Sequence, residues 1–368
     1  MTVTTGGGVP APAGGRSAPP APRPPARPAG QEPPAGPEPP AGPEPPAGRG
    51  RPVRPVRPAR RDRLDPAHYE PARVPEAVRR HAGTPDTLAV GRPGKVGLLE
   101  LAFERIGART ELTGHYQKSP LQIMRPLYYD PARPDLAITL LMSTGGGILQ
   151  ADRLRTDLRC GADTATHLTT QAATKVYRME FDYATQLVNL EAGPRAYVEY
   201  LPEPVIPFVD SRLYQRTVLT VDPTATVLAG ETVLAGRLAR GERNAYRVFA
   251  SDLEVRRPDG RPVAVDTVRL EPAAAGVTGP AVLGGHDVMS TLYAVSPLAP
   301  AALVADTLHG ALADCGLLYG VSVLPHDAGA WVRLLGSDTR ACAAALRTAW
   351  DAVRRLLIGA PAPALRKT

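Results

Sequence analysis

The sequence predicts a mainly β body that ends in a C-terminal helix and follows a long unpacked arm. Three observations carry this reading. Of the 42 prolines in 368 residues, 19 fall in residues 1–60. From Leu88 to about Leu270 the apolar residues alternate or come in short β-branched runs, and Leu346, Trp350, Val353 and Leu357 then recur at helical spacing.

The arm comes first. Glu32 to Gly48 repeats a six-residue unit of Pro, Ala, Gly and one acid, and Arg51-Pro-Val-Arg-Pro-Val-Arg-Pro follows. Proline removes amide donors, and too few large apolar side chains are present to offset the entropy of ordering. A disordered, partly polyproline II tether over residues 1–85 is expected, with a short helix over Glu76 to Arg80 at its end and the folded domain over 86–368. Residues 1–60 of it hold eight Arg against three Glu, which is +5 of the chain's formal +7. The folded part is therefore nearly neutral, and the basic face that nucleic-acid binding needs is not indicated.

Strands are expected at Val96–Phe103, Leu136–Met142, Leu154–Cys160, Thr164–Thr170, Gln186–Leu190, Ala196–Leu201, Leu213–Val221, Thr226–Leu228 and Ala245–Leu253. Turn chemistry separates them, as in Gly145-Gly146-Gly147, Cys160-Gly161-Ala162-Asp163, Ala192-Gly193-Pro194 and Asp222-Pro223. This spacing favours one large all-β body over alternating β-α-β units. Pro300 to Leu312 is rich in Ala and Leu, and Leu317–Leu324 and Trp331–Leu335 read as strands. Ser337-Asp338 caps a helix running to about Leu357, stopped by Gly359 and Pro361. Trp350 on its stripe is either a core residue or a partner-facing anchor.

No run of 18 apolar residues occurs and the N-terminus lacks a basic, then apolar, leader, so a cytoplasmic location is expected. Cys160, Cys315 and Cys342 are odd in number and far apart, which argues against a disulfide framework. Gly91-Arg-Pro-Gly-Lys95 lacks the glycine spacing and the hydroxyl residue of a phosphate loop, and GxSxG and HExxH are absent. None of the seven histidines pairs locally with a catalytic or metal motif. What remains is a set of acids at strand edges and turns: Asp152, Glu203, Asp210, Glu231 and Glu242.

Four ordered blocks then carry a resemblance. Gly145-Gly-Gly-Ile-Leu-Gln-Ala-Asp152-Arg-Leu, Leu168-Thr-Thr-Gln-Ala-Ala-Thr-Lys175-Val-Tyr-Arg178, Tyr200-Leu-Pro-Glu203-Pro-Val-Ile and Gly236-Arg237-Leu-Ala-Arg-Gly241-Glu242 occur in the order and spacing of the UreD (or UreH) urease accessory proteins. The similarity covers about residues 88–357; one departure is Ala151, where the family pattern usually has Gly. The resemblance implies a β-helical, solenoid-like body of many short strands with two C-terminal α-helices. It also implies a non-enzymatic scaffold that binds apo-urease (UreABC) with the UreF and UreG accessory proteins, UreG being the GTPase, and assists nickel delivery.

Nickel sits high in the Irving–Williams order, so a His/Cys site would retain it, whereas oxygen donors exchange it with water. A conduit needs the second kind. Asp152, Glu203, Glu231 and Glu242 are therefore the expected way-stations for transient Ni2+, with no tightly bound cofactor. Pairing of Glu203 or Glu242 with Arg178, Arg237 or Arg240 is the structural alternative. Lys175, Tyr177 and Arg178 are expected partner contacts. A different class of function, a β-solenoid polysaccharide hydrolase using Asp152 and Asp157, is disfavoured: on a regular strand those positions lie on opposite faces, and two Trp and four Phe leave few sugar platforms.

Overall fold

The computed structural model describes residues 62–83 and 96–365. β1 (Val96–Ile106) and β2 (Arg109–Lys118) form an antiparallel hairpin around Gly107, whose φ of 58° suits glycine. After β3 (Leu121–Gln122) and β4 (Ala137–Ser143) the chain begins to coil. Its turns are β5 (Arg153–Cys160), β6 (Ala165–Thr170) and β7 (Thr174–Val176), then β8 (Ala184–Ala192), β9 (Tyr197–Tyr200) and β10 (Val205–Pro207), then β11 (Arg212–Val221) and β12 (Thr226–Leu234). Equivalent strands of successive turns pair in parallel: Arg153 stands beside Thr185, Leu213 beside Ala184, Ala165 beside Tyr197 and Thr226 beside Tyr197.

β13 (Val248–Arg256) adds to this coil, and β14 (Pro262–Leu270) and β15 (Val288–Val295) return antiparallel. The helix of Glu76–Arg79 is α1. α2 (Ala301–Leu312), β16 (Leu318–Val323), β17 (Gly329–Gly336) and α3 (Thr339–Ile358) complete the chain. The strands assemble into two sheets, in the orders β14-β13-β11-β8-β5-β1-β2 and β16-β17-β15-β12-β9-β6-β4-β3, with β7 and β10 as a short third side beside β12. The solenoid-like β body with two C-terminal helices is thus the architecture found.

Burial explains which strands alternate. In β5 every second residue is buried, because its inner face meets the second sheet while its outer face is wetter. Leu158, Leu190, Leu219 and Val255 of the first sheet pack there against Leu168, Val198, Val227 and Tyr293 of the second. The second sheet is covered on its other face by α2 and α3, where Leu292 and Val332 meet Val304, Leu308, Val353 and Leu357. Each such side chain contributes about 1.5–3 kcal/mol by leaving water. A sheet buried on both faces loses its alternation, which is why all eight residues of β15 are buried and the sequence reading passed over it. β2 was missed for the opposite reason: Arg-Thr-Glu-Leu-Thr-Gly-His-Tyr-Gln-Lys is a polar edge strand.

α3 follows its local signals. The Asp338 carboxylate accepts from the Arg340 and Ala341 amides at 2.7 and 2.9 Å, and Gly359 closes the helix at φ 66°. The boundary placed after residue 85 needs correction. Tyr69 is buried, and Val78 is enclosed with Tyr183, Tyr214, Val248 and Ala250, so residues 62–83 pack with the body. The expected tether over residues 1–60 lies outside the described residues. No helix among the described residues is long and apolar enough to cross a membrane.

Candidate functional site

The four sequence blocks, far apart in the chain, meet on the short third side of the coil. Ile148 donates to the Lys175 carbonyl at 2.8 Å, and Tyr177 donates back to the Ile148 carbonyl at 2.9 Å. β7 then pairs with β10, Lys175 beside Ile206, and β10 with β12, Val205 beside Val233. Closeness requires glycine at 147, where a Cβ would stand 2.5 Å from the Lys175 carbonyl, and favours it at 146, where a Cβ would stand 2.8 Å from the Tyr177 hydroxyl. The corner expected there is present, and Ala151 takes the left-handed conformation at φ 60° that glycine would adopt more easily.

Aromatic and charged groups finish this corner. The Tyr177 ring meets Phe208 edge-on at 5.1 Å, and the Arg237 guanidinium lies 4.0 Å over Phe208. Arg237 also grips Glu242, with its Nε donating to Oε2 at 2.8 Å, while the Val209 amide donates to the same oxygen at 3.2 Å. The hydrogen bond from Arg237 holds the Glu242 carboxyl below its usual range, against the opposing effect of burial and with help from the Val209 amide. Asp210 similarly joins Arg178 at 3.6 Å and Arg247 at 2.7 Å. Lys175 and Arg178 are exposed and Tyr177 is half-buried, so all three are open to a partner.

Behind this corner lies a pocket between the two sheets. Glu203 and Glu231 both line it, with Thr170, Gln186, Tyr200, Gln215 and Thr217 among their neighbours, and no His or Cys belongs to the lining. Glu231 Oε2 accepts from Gln215 Nε2 at 2.8 Å and Ser251 Oγ at 2.7 Å. Burial raises the Glu231 carboxyl above its usual range, aided by Asp266 and opposed by the Ser251 and Gln215 hydrogen bonds and by Arg333. A carboxylate under that strain gains from a cation nearby. The Glu203 amide donates to Thr170 Oγ1 at 2.9 Å, which sets its backbone at the rim.

Two of the four expected way-stations are therefore together and two are elsewhere. Asp152 is buried in its own turn, where its carboxylate accepts from the Leu149 amide at 2.9 Å. Glu242 takes the ion-pair role with Arg237. Neither lines the pocket. Asp152 and Asp157 do fall on opposite faces, one buried and one half-buried, so they do not form a hydrolytic pair.

Trp350 also needs correction as a partner anchor. It is only 5% exposed, lies against His167 with the rings tilted by 31° and their centroids 5.3 Å apart, and donates its indole N–H to Glu199 Oε1 at 3.2 Å. This belongs to a buried ionic cluster that no sequence motif announced. His167 Nδ1 pairs with Glu199 Oε2 at 2.6 Å, Arg354 Nε lies 3.2 Å from Glu199 Oε1, and Arg354 donates to Asp130 Oδ2 at 2.5 Å. Burial acts to raise the Glu199 carboxyl, but the His167 hydrogen bond and the His167 and Arg354 charges outweigh it and leave the group below its usual range. Leu346, the remaining stripe position, is half-buried against the same helix-facing core.

The family model for the UreD urease accessory protein matches residues 95–368. Urease accessory protein UreD 2 of Streptomyces griseus is 59% identical over 288 residues, 78% of this chain and 98% of that protein. UreD of Haloarcula marismortui is 37% identical over 279 residues, covering 76% of this chain and 93% of the relative. UreD 2 of Brucella suis is 35% identical over 282 residues, 76% and 93% respectively.

Proposed function

Since this chain belongs to the UreD family of urease accessory proteins, we propose that it serves urease maturation as a non-enzymatic scaffold that docks on apo-urease with UreF and UreG and lets Ni2+ pass through its interior. The nickel ion is cargo in this reading. Hydrolysis of GTP falls to UreG, in keeping with the absence of a phosphate-loop sequence here. The work is taken to be cytoplasmic.

The observation that carries this reading is the pocket between the sheets, where Glu203 and Glu231 bring oxygen donors and negative charge to one place without imidazole or thiolate. Hydroxyl and amide groups of Thr170, Gln186, Gln215 and Thr217 supply further oxygens for the cation. Oxygen sites of this kind hold nickel loosely enough to release it. Lys175, Tyr177 and Arg178, at the corner just outside, are the surface we assign to a protein partner.

Co-expression with apo-urease, UreF and UreG tests the scaffold directly. Urea hydrolysis should require this chain, and the chain should co-purify with the accessory proteins. Full urease activity without it would overturn the reading.

A further inference from the structure

A second cluster lies away from the pocket, on the outer face of the first sheet. Glu100 of β1 and Asp157 of β5 occupy the same register position on adjacent parallel strands. Like charges placed side by side on a sheet repel each other. Over them sits His68, in a short 3-10 turn from Pro66 to Tyr69 whose entry is capped by Asp65, accepting from the Ala67 amide at 2.9 Å.

The segment is fastened around this point. The His68 carbonyl accepts from Arg155 at 2.8 Å, the buried Tyr69 donates to the Arg63 carbonyl at 2.7 Å, and the Arg63 guanidinium stacks 3.8 Å over Tyr116. One ligand atom from each of His68, Glu100 and Asp157 lies within 4.8 Å of the others, and all three side chains are half-buried. The carboxylates have outer partners of the sort that orient metal ligands. Arg63 pairs with Glu100 Oε2; Arg155 holds Asp157 at 2.8 Å, and Asn189 donates to Asp157 Oδ1 at 2.7 Å. Glu100 Oε1, by contrast, is buried and accepts no hydrogen bond among the described residues. A buried acceptor left without a donor has lost its water and gained nothing in return.

From this geometry we propose that His68, Glu100 and Asp157 form a divalent-cation site that pins residues 62–70 to the first sheet. One imidazole and two carboxylates select a borderline ion such as Ni2+, Co2+ or Zn2+ over Ca2+ or Mg2+. Donors of such ions stand ~2.0–2.2 Å from the metal, so small side-chain adjustments close the site, and water fills the remaining positions. His68 lies ahead of the family-matched residues 95–368, whereas Glu100 and Asp157 lie within them. The site therefore exists only when the preceding segment is docked, and metal binding and docking reinforce each other. It is independent of the pocket holding Glu203 and Glu231.

Co2+ titrated into the full chain tests this, read by visible ligand-field absorption and by calorimetry, with trypsin cleavage after the exposed Arg73 as the docking readout. The parent should bind Co2+ with slower cleavage at Arg73. His68→Ala and Glu100→Gln should each weaken that binding by ~tenfold or more and abolish the protection, while the Glu203→Gln/Glu231→Gln double variant keeps both. The proposal is overturned if the parent shows no Co2+ absorption. It is equally overturned if His68→Ala and Glu100→Gln bind like the parent, or if only the pocket variant loses the ion.

Discussion

Replacing Arg354 with Met probes how α3 is held to the second sheet. Arg354 and Glu199 are fully buried and Asp130 nearly so, and the guanidinium serves Asp130, the Pro361 carbonyl and the Glu199 carboxylate together. Methionine fills most of the volume but strips the buried Asp130 carboxylate of its guanidinium and leaves Glu199 with only His167, Tyr197 and Trp350. Breaking a buried pair from one side costs about 3–5 kcal/mol, because the charge that stays behind is uncompensated. For a body of this size each kcal/mol lowers Tm by ~2–4 °C, so a fall of about 10 °C is expected. Urea denaturation of both forms, fitted with a common m value, gives the difference, and calorimetry gives Tm. Adding Asp130→Asn to Arg354→Met should restore about 1–3 kcal/mol by removing one stranded charge. An Arg354→Met chain within about 1 kcal/mol of the parent would refute the claim that this buried network locks the helix.

Three further outcomes are expected. Ala151→Gly should stabilise the body by about 0.5–1 kcal/mol in urea denaturation, the left-handed penalty of about 1–2 kcal/mol less the extra chain entropy of glycine; a loss of stability would contradict the strain at φ 60°. The Asp135 carboxyl is held at about 2 by its hydrogen bond from Arg133, against burial and with help from Arg105. A depressed carboxyl stabilises above its unfolded value and loses that contribution as pH falls toward 2, so Asp135→Asn should destabilise at pH 7 and converge with the parent in strong acid; equal pH profiles would disprove this. Lys175→Glu with Arg178→Glu should abolish co-purification with the accessory proteins while thermal stability stays within about 0.5 kcal/mol; retained co-purification would remove this corner from the interface.

What the sequence revealed depended on how local each signal was. α3 was legible end to end because its Asp338 cap, apolar stripe and Gly359 stop all lie within one segment. β5 was legible through its one-sided burial, and β15 was hidden by burial on both faces. The acids show the same limit. Glu203 and Glu231 could be nominated by residue type, but only the coil of parallel strands brings β12 against the turn after β9 and separates them from Asp152 and Glu242. Trp350 was rightly placed on an apolar stripe, yet its contact with Glu199 depends on a strand remote in sequence. The histidines were judged singly and found uninformative; His167 and His68 gain meaning from Glu199, and from Glu100 and Asp157, across the fold. The tether boundary failed because Val78 buries itself against strands that composition cannot see.

The nickel content of urease co-expressed with the Glu203→Gln/Glu231→Gln chain tests the central claim most directly. Those substitutions keep the shape of the pocket and remove its charge. If the pocket conducts the ion, urease should emerge poor in nickel and slow in urea hydrolysis while the accessory complex is recovered in full. Nickel loading equal to that with the parent chain, or loading and complex lost in equal measure, would contradict passage of the ion between the two sheets.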